Sequence, residues 1–470
     1  MTRRLILWAS VLATGAACAE RRPYEPPAVE PPALHRAAEA AVAPEPFEAA
    51  WWRQFEDPVL DDLVEGTLAA NRDVRTAVAR LDQARGIFDD ADDDLLPVVP
   101  TGASVDRRDQ TVPGFSESPQ GITTYRTGFD ASWELDIFGR VRSQIRAAAA
   151  SADGFQADLA HVRLSVAAET ARTYFEIRGL QQQLAVAERS LANQRETLRL
   201  TKVRRDAGIG EEQDVASASA RVAAIEASLP PIRMALAHRE HRLAVLAGTR
   251  PGGLGADLSP RPYPPLATAL AIGDPAALLQ RRPDVRAAER RLAAATARES
   301  VAAADLFPRV TVTGFLGFLA GRGGLFDAGD SRAWAVTPAL SWAAFDLGST
   351  RARLRGAEAA TAESLASYEQ VVLGAIEETE NALVSYRAEQ ERLVSLTEQA
   401  RESARAAGIA RIRYREGAVD FLALLDAERT QLEAEDAVAQ AEAGVFTSVI
   451  ALYKALGGIP PAGQGARSPR

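Results

Sequence analysis

The sequence predicts a mainly α-helical protein with a membrane β-barrel part, built from one unit that occurs twice. Three observations carry that expectation. The chain of 470 residues aligns with itself almost without gaps: Trp133 falls on Trp342, Glu169-Thr170 on Glu378-Thr379, Gly208 on Gly417 and Gly248 on Gly457, a constant displacement of 209. Residues 140–206 contain no proline and little glycine, so 67 residues are free to form one helix of ~100 Å. Two segments alternate apolar and polar residues with the period of a strand. Beyond the N-terminus no run reaches the ~18 to 20 apolar residues of a membrane-crossing helix, so a crossing has to use strands.

Composition removes several classes. With 54 Lys+Arg against 63 Asp+Glu, a net charge of -9 and no long basic block, the chain is not built to coat nucleic acid. One cysteine excludes an intrachain disulfide. No phosphate loop or nucleophile-base set is present, which points away from an enzyme. His238 and His241 have no cysteine or carboxylate set to complete a metal cage. The run Asp89-Asp90-Ala91-Asp92-Asp93-Asp94 lacks the placed glycine and terminal glutamate of a calcium loop. The expectation is no metal and no cofactor.

Residues 1–17 read as a signal peptide: Arg3 and Arg4 precede an apolar core and the small-residue site Gly15-Ala16-Ala17-Cys18. That site resembles a bacterial lipobox, although Gly15 stands where leucine is usual, and the resemblance implies acylation of Cys18, palmitate included. A plain signal peptide with an incidental cysteine is the alternative. Ala19 after the cysteine implies sorting to the outer membrane. Residues 18–50, rich in proline, alanine and glutamate, read as an extended tether. The first repeat then covers 51–248, a linker 249–273, the second repeat 274–457, and a flexible tail 458–470.

Each repeat reads as a short helix, a medium helix, two strands and a long helical hairpin. Asp57-Pro58 starts the first helix, and Pro283-Asp284 starts the medium helix of the second repeat. Ile177, Leu180, Leu184, Leu191 and Leu198 follow a coiled-coil seam. Gly208 and Gly417 end the long helices as left-handed caps. Pro230 and Pro231 should break or kink the return helix of the first repeat, where the second has Ala439 and Gln440.

Strands are expected near 98–106, 125–135, 309–319 and 334–342, with loops at 107–123 and 320–332. Tyr125, Phe129 and Trp133 share one face of their strand, and Trp334 and Trp342 one face of theirs. In a membrane barrel these five side chains would face lipid, while a soluble sandwich or a sheet packed against the helices would give the same alternation. Four strands cannot close a barrel alone, and open edges are not tolerated in hydrocarbon.

Several motifs resemble those of TolC-like outer-membrane efflux proteins of the OprM/NodT lipoprotein branch. They are Trp52-Arg53-Gln54-Phe55 with Asp57-Pro58, Asn71-Arg72-Asp73, Trp133-Glu134-Leu135-Asp136-Ile137-Phe138-Gly139-Arg140, Arg281-Arg282-Pro283-Asp284-Val285, and Tyr414-Arg415-Glu416-Gly417 with Leu424-Leu425-Asp426-Ala427. The resemblance implies a homotrimer sharing one barrel and an α-helical periplasmic tunnel. It implies as partners a periplasmic membrane-fusion adaptor and an inner-membrane RND-type pump, with small molecules such as drugs as cargo. By similarity Leu422 and Asp426 match a periplasmic gate, and Arg413, Tyr414 and Asp420 a latch with partners near Glu211 or Asp214. Arg204, Gly208 and Gly417 fall at the adaptor-contact tips. A type I protein-secretion duct is the rival within this class, and a periplasmic coiled-coil scaffold lipoprotein the rival outside it.

Overall fold

The computed structural model describes residues 24–27, 42–43, 50–110, 120–266, 270–272, 278–321 and 331–458. The signal peptide, Cys18, most of the tether and the C-terminal tail lie outside the described residues. In chain order the elements are β1 (Val42–Ala43), a 3-10 turn (Trp51–Phe55), α1 (Pro58–Ala70), α2 (Arg72–Asp93), β2 (Thr101–Gln110), β3 (Gln120–Leu135), α3 (Arg140–Asp206), α4 (Glu212–Leu246), β4 (Leu270–Ala271), α5 (Leu278–Arg281), α6 (Pro283–Ala304), β5 (Arg309–Ala320), β6 (Arg332–Ser341), α7 (Leu347–Arg415) and α8 (Phe421–Ala455).

The chain divides into two compact units. One takes its residues from Val29–Ala79, Gln156–Arg286 and Gln370–Arg470. Its core gathers Trp51, Phe55, Tyr174, Phe175, Phe446 and Tyr453 with aliphatic residues of α1, α3, α7 and α8. Trp51 stacks on Tyr453 at 5.8 Å between centroids, and Phe175 on Phe446 at 4.5 Å. The sequence order explains the docking of the early helices. Asp57 caps α1 by accepting from Val59 N at 3.0 Å, and Pro58 follows where no amide partner is needed. Asn71 then accepts from Asp73 N at 2.8 Å to start α2, while its amide donates to Leu246 O at 2.8 Å. β1 pairs in parallel with β4, so part of the tether segment and part of the linker segment join in a small sheet.

Arg282 ties this core together. It is buried, donates to Asp284 at 2.7 Å, to Glu378 at 2.6 Å and to Ala455 O at 2.7 Å, and Lys454 reaches Glu378 at 3.3 Å. Burial works against ionising Asp284 and Glu378, but the Arg282 hydrogen bonds and charge outweigh it and hold both carboxyls below their ordinary range.

The duplication is visible in the helix ends. Gly208 and Gly417 both have φ of 73°. Ile209 N donates to Arg204 O at 3.0 Å, and Ala418 N to Arg413 O at 2.8 Å, which is the same Schellman cap in each copy. Thr249 N to Ala244 O and Gly458 N to Tyr453 O repeat the motif at the ends of α4 and α8.

One expectation changes, and the two repeats differ at one glycine. α4 runs uninterrupted through Pro230 and Pro231. Apolar contacts hold the helix on both sides of the prolines, because Ile225 and Leu229 before them and Ile232 after them pack with Ala187 and Leu191 of α3. Gly139 takes a left-handed φ of 73°, whereas its counterpart Gly348 lies inside α7, which begins at Leu347.

The other unit takes its residues from Met1–Ala28, Arg80–Phe155 and Ala287–Glu369. It holds a four-stranded sheet in the order β2-β3-β5-β6, antiparallel throughout. The strands are longer than expected at the loops: β2 extends to Gln110 and β3 starts at Gln120, leaving 111–119 outside the described residues. Trp133 Nε1 donates to Leu95 O at 2.9 Å and Trp342 Nε1 to Leu306 O at 3.0 Å, so each repeat ties its strand to the end of its medium helix in the same way. Tyr24 packs on Ala150, Ala293 and Ala294, with its hydroxyl 3.4 Å from Glu289 O.

Candidate functional site: hairpin tips and a two-faced sheet

Each hairpin turns on its glycine cap. At the second tip Asp420 caps α8 by accepting from Ala423 N at 2.8 Å, while Glu211, at the matching place in the first, makes no side-chain cap. Tyr414 is buried against Ala218, Phe421 and Leu424, with its ring 5.6 Å from that of Phe421. Arg204 of the first tip joins the two hairpins: its Nη1 donates to Tyr414 O at 3.0 Å, and its guanidinium lies 4.8 Å from the Tyr414 ring centre. The tip contact therefore runs through Arg204. Arg413 is exposed and forms no ion pair among the described residues, and the structure brings neither Glu211 nor Asp214 to it.

Leu422 and Asp426 stand one turn apart on the outward side of α8, and both are exposed. Asp426 accepts from Arg429 at 2.7 Å, and Arg429 also reaches Glu433 at 3.0 Å. The hydrogen bonds that Arg429 donates to these two carboxylates raise its pKa. Such solvent-exposed pairs within one helix are screened by water and contribute little to stability.

Behind this outward side lies a group that the sequence reasoning missed. Glu428 is 5 % exposed and takes two hydrogen bonds from Arg411 of α7, at 3.1 Å from Nε and 2.8 Å from Nη2, and a third from Gln194 of α3. Burial lowers the pKa of Arg221 on α4, partly offset by Glu433, and its Nε is buried without an acceptor among the described residues. The available signal was a carboxylate at a seam position: Phe421, Leu424 and Glu428 follow the three-and-four spacing of the buried side of α8.

The sheet has two chemically distinct faces. Register places Val105, Tyr125, Phe129, Trp133, Val312, Leu316, Trp334, Val336 and Leu340 on one face. Trp334 is 77 % exposed, Leu316 65 % and Phe129 55 %, while Tyr125 is half-buried and Trp342 stands just past the end of β6. Ser104, Asp106, Arg126, Asp130, Ser132, Glu134, Thr311 and Thr313 share the opposite face. The outer edges of β2 and β6 have no strand partner among the described residues. No helix among the described residues is long and apolar enough to cross a membrane, and no group of three metal-ligating side chains occurs among them.

Paired coiled-coil hairpins with a sheet apolar on one face and polar on the other define a class of duplicated outer-membrane channel proteins. The chain belongs to the outer membrane efflux protein family, whose model matches residues 63–249 and 275–458. It is 31% identical over 444 residues to the pyoverdine export outer membrane protein OpmQ of Pseudomonas putida, covering 92% of each chain. It is 29% identical over 445 residues to nodulation protein T of Rhizobium leguminosarum bv. trifolii, covering 94% of each. The solved outer-membrane channel OprN superposes with a TM-score of 0.91 at 49% identity, over 94% of this chain and 99% of that one. The protein is thus an outer-membrane efflux protein of the OprM/NodT type.

Proposed function

We propose that the protein is the exit duct of a tripartite efflux system, conducting small molecules passively from an inner-membrane pump and a periplasmic adaptor to the exterior. The observation that carries the reading is the sheet, with an exposed apolar face, a polar opposite face and two edges that have no strand partner among the described residues. In hydrocarbon such edges must be closed. Three copies joining β2 of one to β6 of the next would give one closed barrel, with Tyr125, Phe129, Trp133, Trp334 and Trp342 toward lipid.

In this reading the tips form the periplasmic gate. Leu422 supplies an apolar ring, Asp426 an acidic ring favouring cations, and Arg204 with Tyr414 and Asp420 holds the hairpins in place. The adaptor meets the turns around Arg204, Gly208 and Gly417, and an acyl group on Cys18 adds a lipid anchor. Membrane fractionation with electrophoresis before and after heating tests the assembly. A heat-modifiable trimer in the outer-membrane fraction supports it. A soluble species overturns it in favour of a periplasmic scaffold.

A further inference from the structure

The polar face of the sheet carries one aromatic ring among its described positions, Phe315, and the surrounding residues are arranged around it. Gly128 lies opposite Gly317 in the β3–β5 ladder. A Cβ on either would come within 2.9 Å of the Phe315 ring, so the ring rests on a floor that only glycines leave open. The Arg126 guanidinium sits 4.1 Å from the ring centre. Arg126 and Asp130 are four residues apart, ~13 Å along a strand, and they meet because the residue between them on this face is Gly128. Nη1 donates to Oδ2 at 3.0 Å and Nη2 to Oδ1.

Charge on this face is cancelled throughout. Arg108 pairs with Asp106 at 2.6 Å, Glu134 with Arg140 at 2.7 Å, and Arg309 with Asp305 at 2.6 Å. With Arg126 held by Asp130, the face offers no net field to select solutes by charge. It offers a planar guanidinium, fixed on one side by Phe315, on an Arg126 side chain that is 37% exposed. A hollow of about 320 Å³ adjoins it, lined by Pro100, Asp130, Ser132, Thr313, Phe315 and Thr337. A guanidinium whose hydrogen bonds are taken up still presents its flat side to aromatic rings.

We propose that Arg126, Phe315 and Asp130 form a contact station for uncharged planar aromatic solutes, which stack on the open side of the Arg126 guanidinium. The station rests on the reading of the polar face as the lumen of the shared barrel, and it favours flat cargo over saturated cargo of the same size.

The test uses the full chain carrying Ser132→Cys in lipid nanodiscs, reacted with a charged, membrane-impermeant maleimide. Modification at residue 132 is followed by peptide mass spectrometry, with caffeine as the planar probe and sucrose as the saturated control. Residue 132 should react, caffeine should slow the reaction and sucrose should not. The caffeine concentration for half-protection should rise about three- to fivefold in Arg126→Gln/Asp130→Asn and in Phe315→Leu, in preparations whose rates without caffeine match. Equal protection in those variants, or none in the Ser132→Cys protein itself, overturns the station while the channel reading stands. Reaction at a Phe129→Cys thiol with none at Ser132→Cys overturns the lumen assignment itself.

Discussion

Replacing Glu428 by alanine should loosen the start of α8 without unfolding the protein. Glu428 is 5 % exposed and accepts from Arg411 at 2.8 Å and 3.1 Å and from Gln194. Removing one partner of a buried pair costs about 3–5 kcal/mol because the other charge is left without compensation. The Arg411 side chain is 38% exposed, so water recovers part of that loss, and about 2–3 kcal/mol remains after that discount. Because ~1.4 kcal/mol is a factor of ten, amide hydrogens at residues 421–428 should exchange about 25- to 150-fold faster. Protection in the Trp51–Tyr453 core should be unchanged. Adding Arg411→Ala should restore part of the protection, since it removes the orphaned cation. Exchange within twofold of the unsubstituted protein in Glu428→Ala would refute the reasoning that this buried group holds the start of α8 in place.

Three further outcomes follow from the tips and the core. Asp420→Ala should destabilise the first turn of α8 by about 1 kcal/mol, read as faster exchange at Ala423, whereas Glu211→Ala at the matching first-repeat position should leave its helix start unaffected. Leu422→Ala with Asp426→Ala should raise basal single-channel conductance in a planar bilayer, and unchanged conductance removes both residues from the gate. Asp284 and Glu378 have depressed pKa values in the folded protein. Their contribution to stability is therefore complete above their unfolded values near pH ~4 and is lost as pH falls through the lower folded ones. Acid unfolding monitored by Trp51 and Trp52 fluorescence should show that step, and Arg282→Met should weaken it.

Long-range order in the helices was legible because it is written locally. The absence of proline over residues 140–206 and the glycine at 208 delimit α3, and the same pattern 209 residues later delimits the end of α7. Strand faces were legible because alternation needs no knowledge of the partner strand. The path of α4 through Pro230 and Pro231 was not, since the apolar contacts of Leu229 and Ile232 with α3 decide it. Nor was the pairing of Glu428 with Gln194, which lies 234 residues away. At the tips the neighbouring arginines 204 and 413 look alike in sequence. Only the packing of Tyr414 beneath one of them shows which makes the contact. The pairing of Val42–Ala43 with Leu270–Ala271 is two residues long and carries no periodic signal at all.

The docking of Tyr24 against α6 has a consequence for the membrane end of the chain. Five residues lie between Cys18 and Tyr24, and a fully extended backbone over those six Cα steps reaches only ~20 Å. If Cys18 is acylated, the attachment point of its lipid lies within about that distance of Tyr24, which packs on Ala150, Ala293 and Ala294. The anchor then works as a short mooring and not as a leash. In a threefold assembly, three such moorings would resist tilting of the duct when its inner end is pulled by a moving pump.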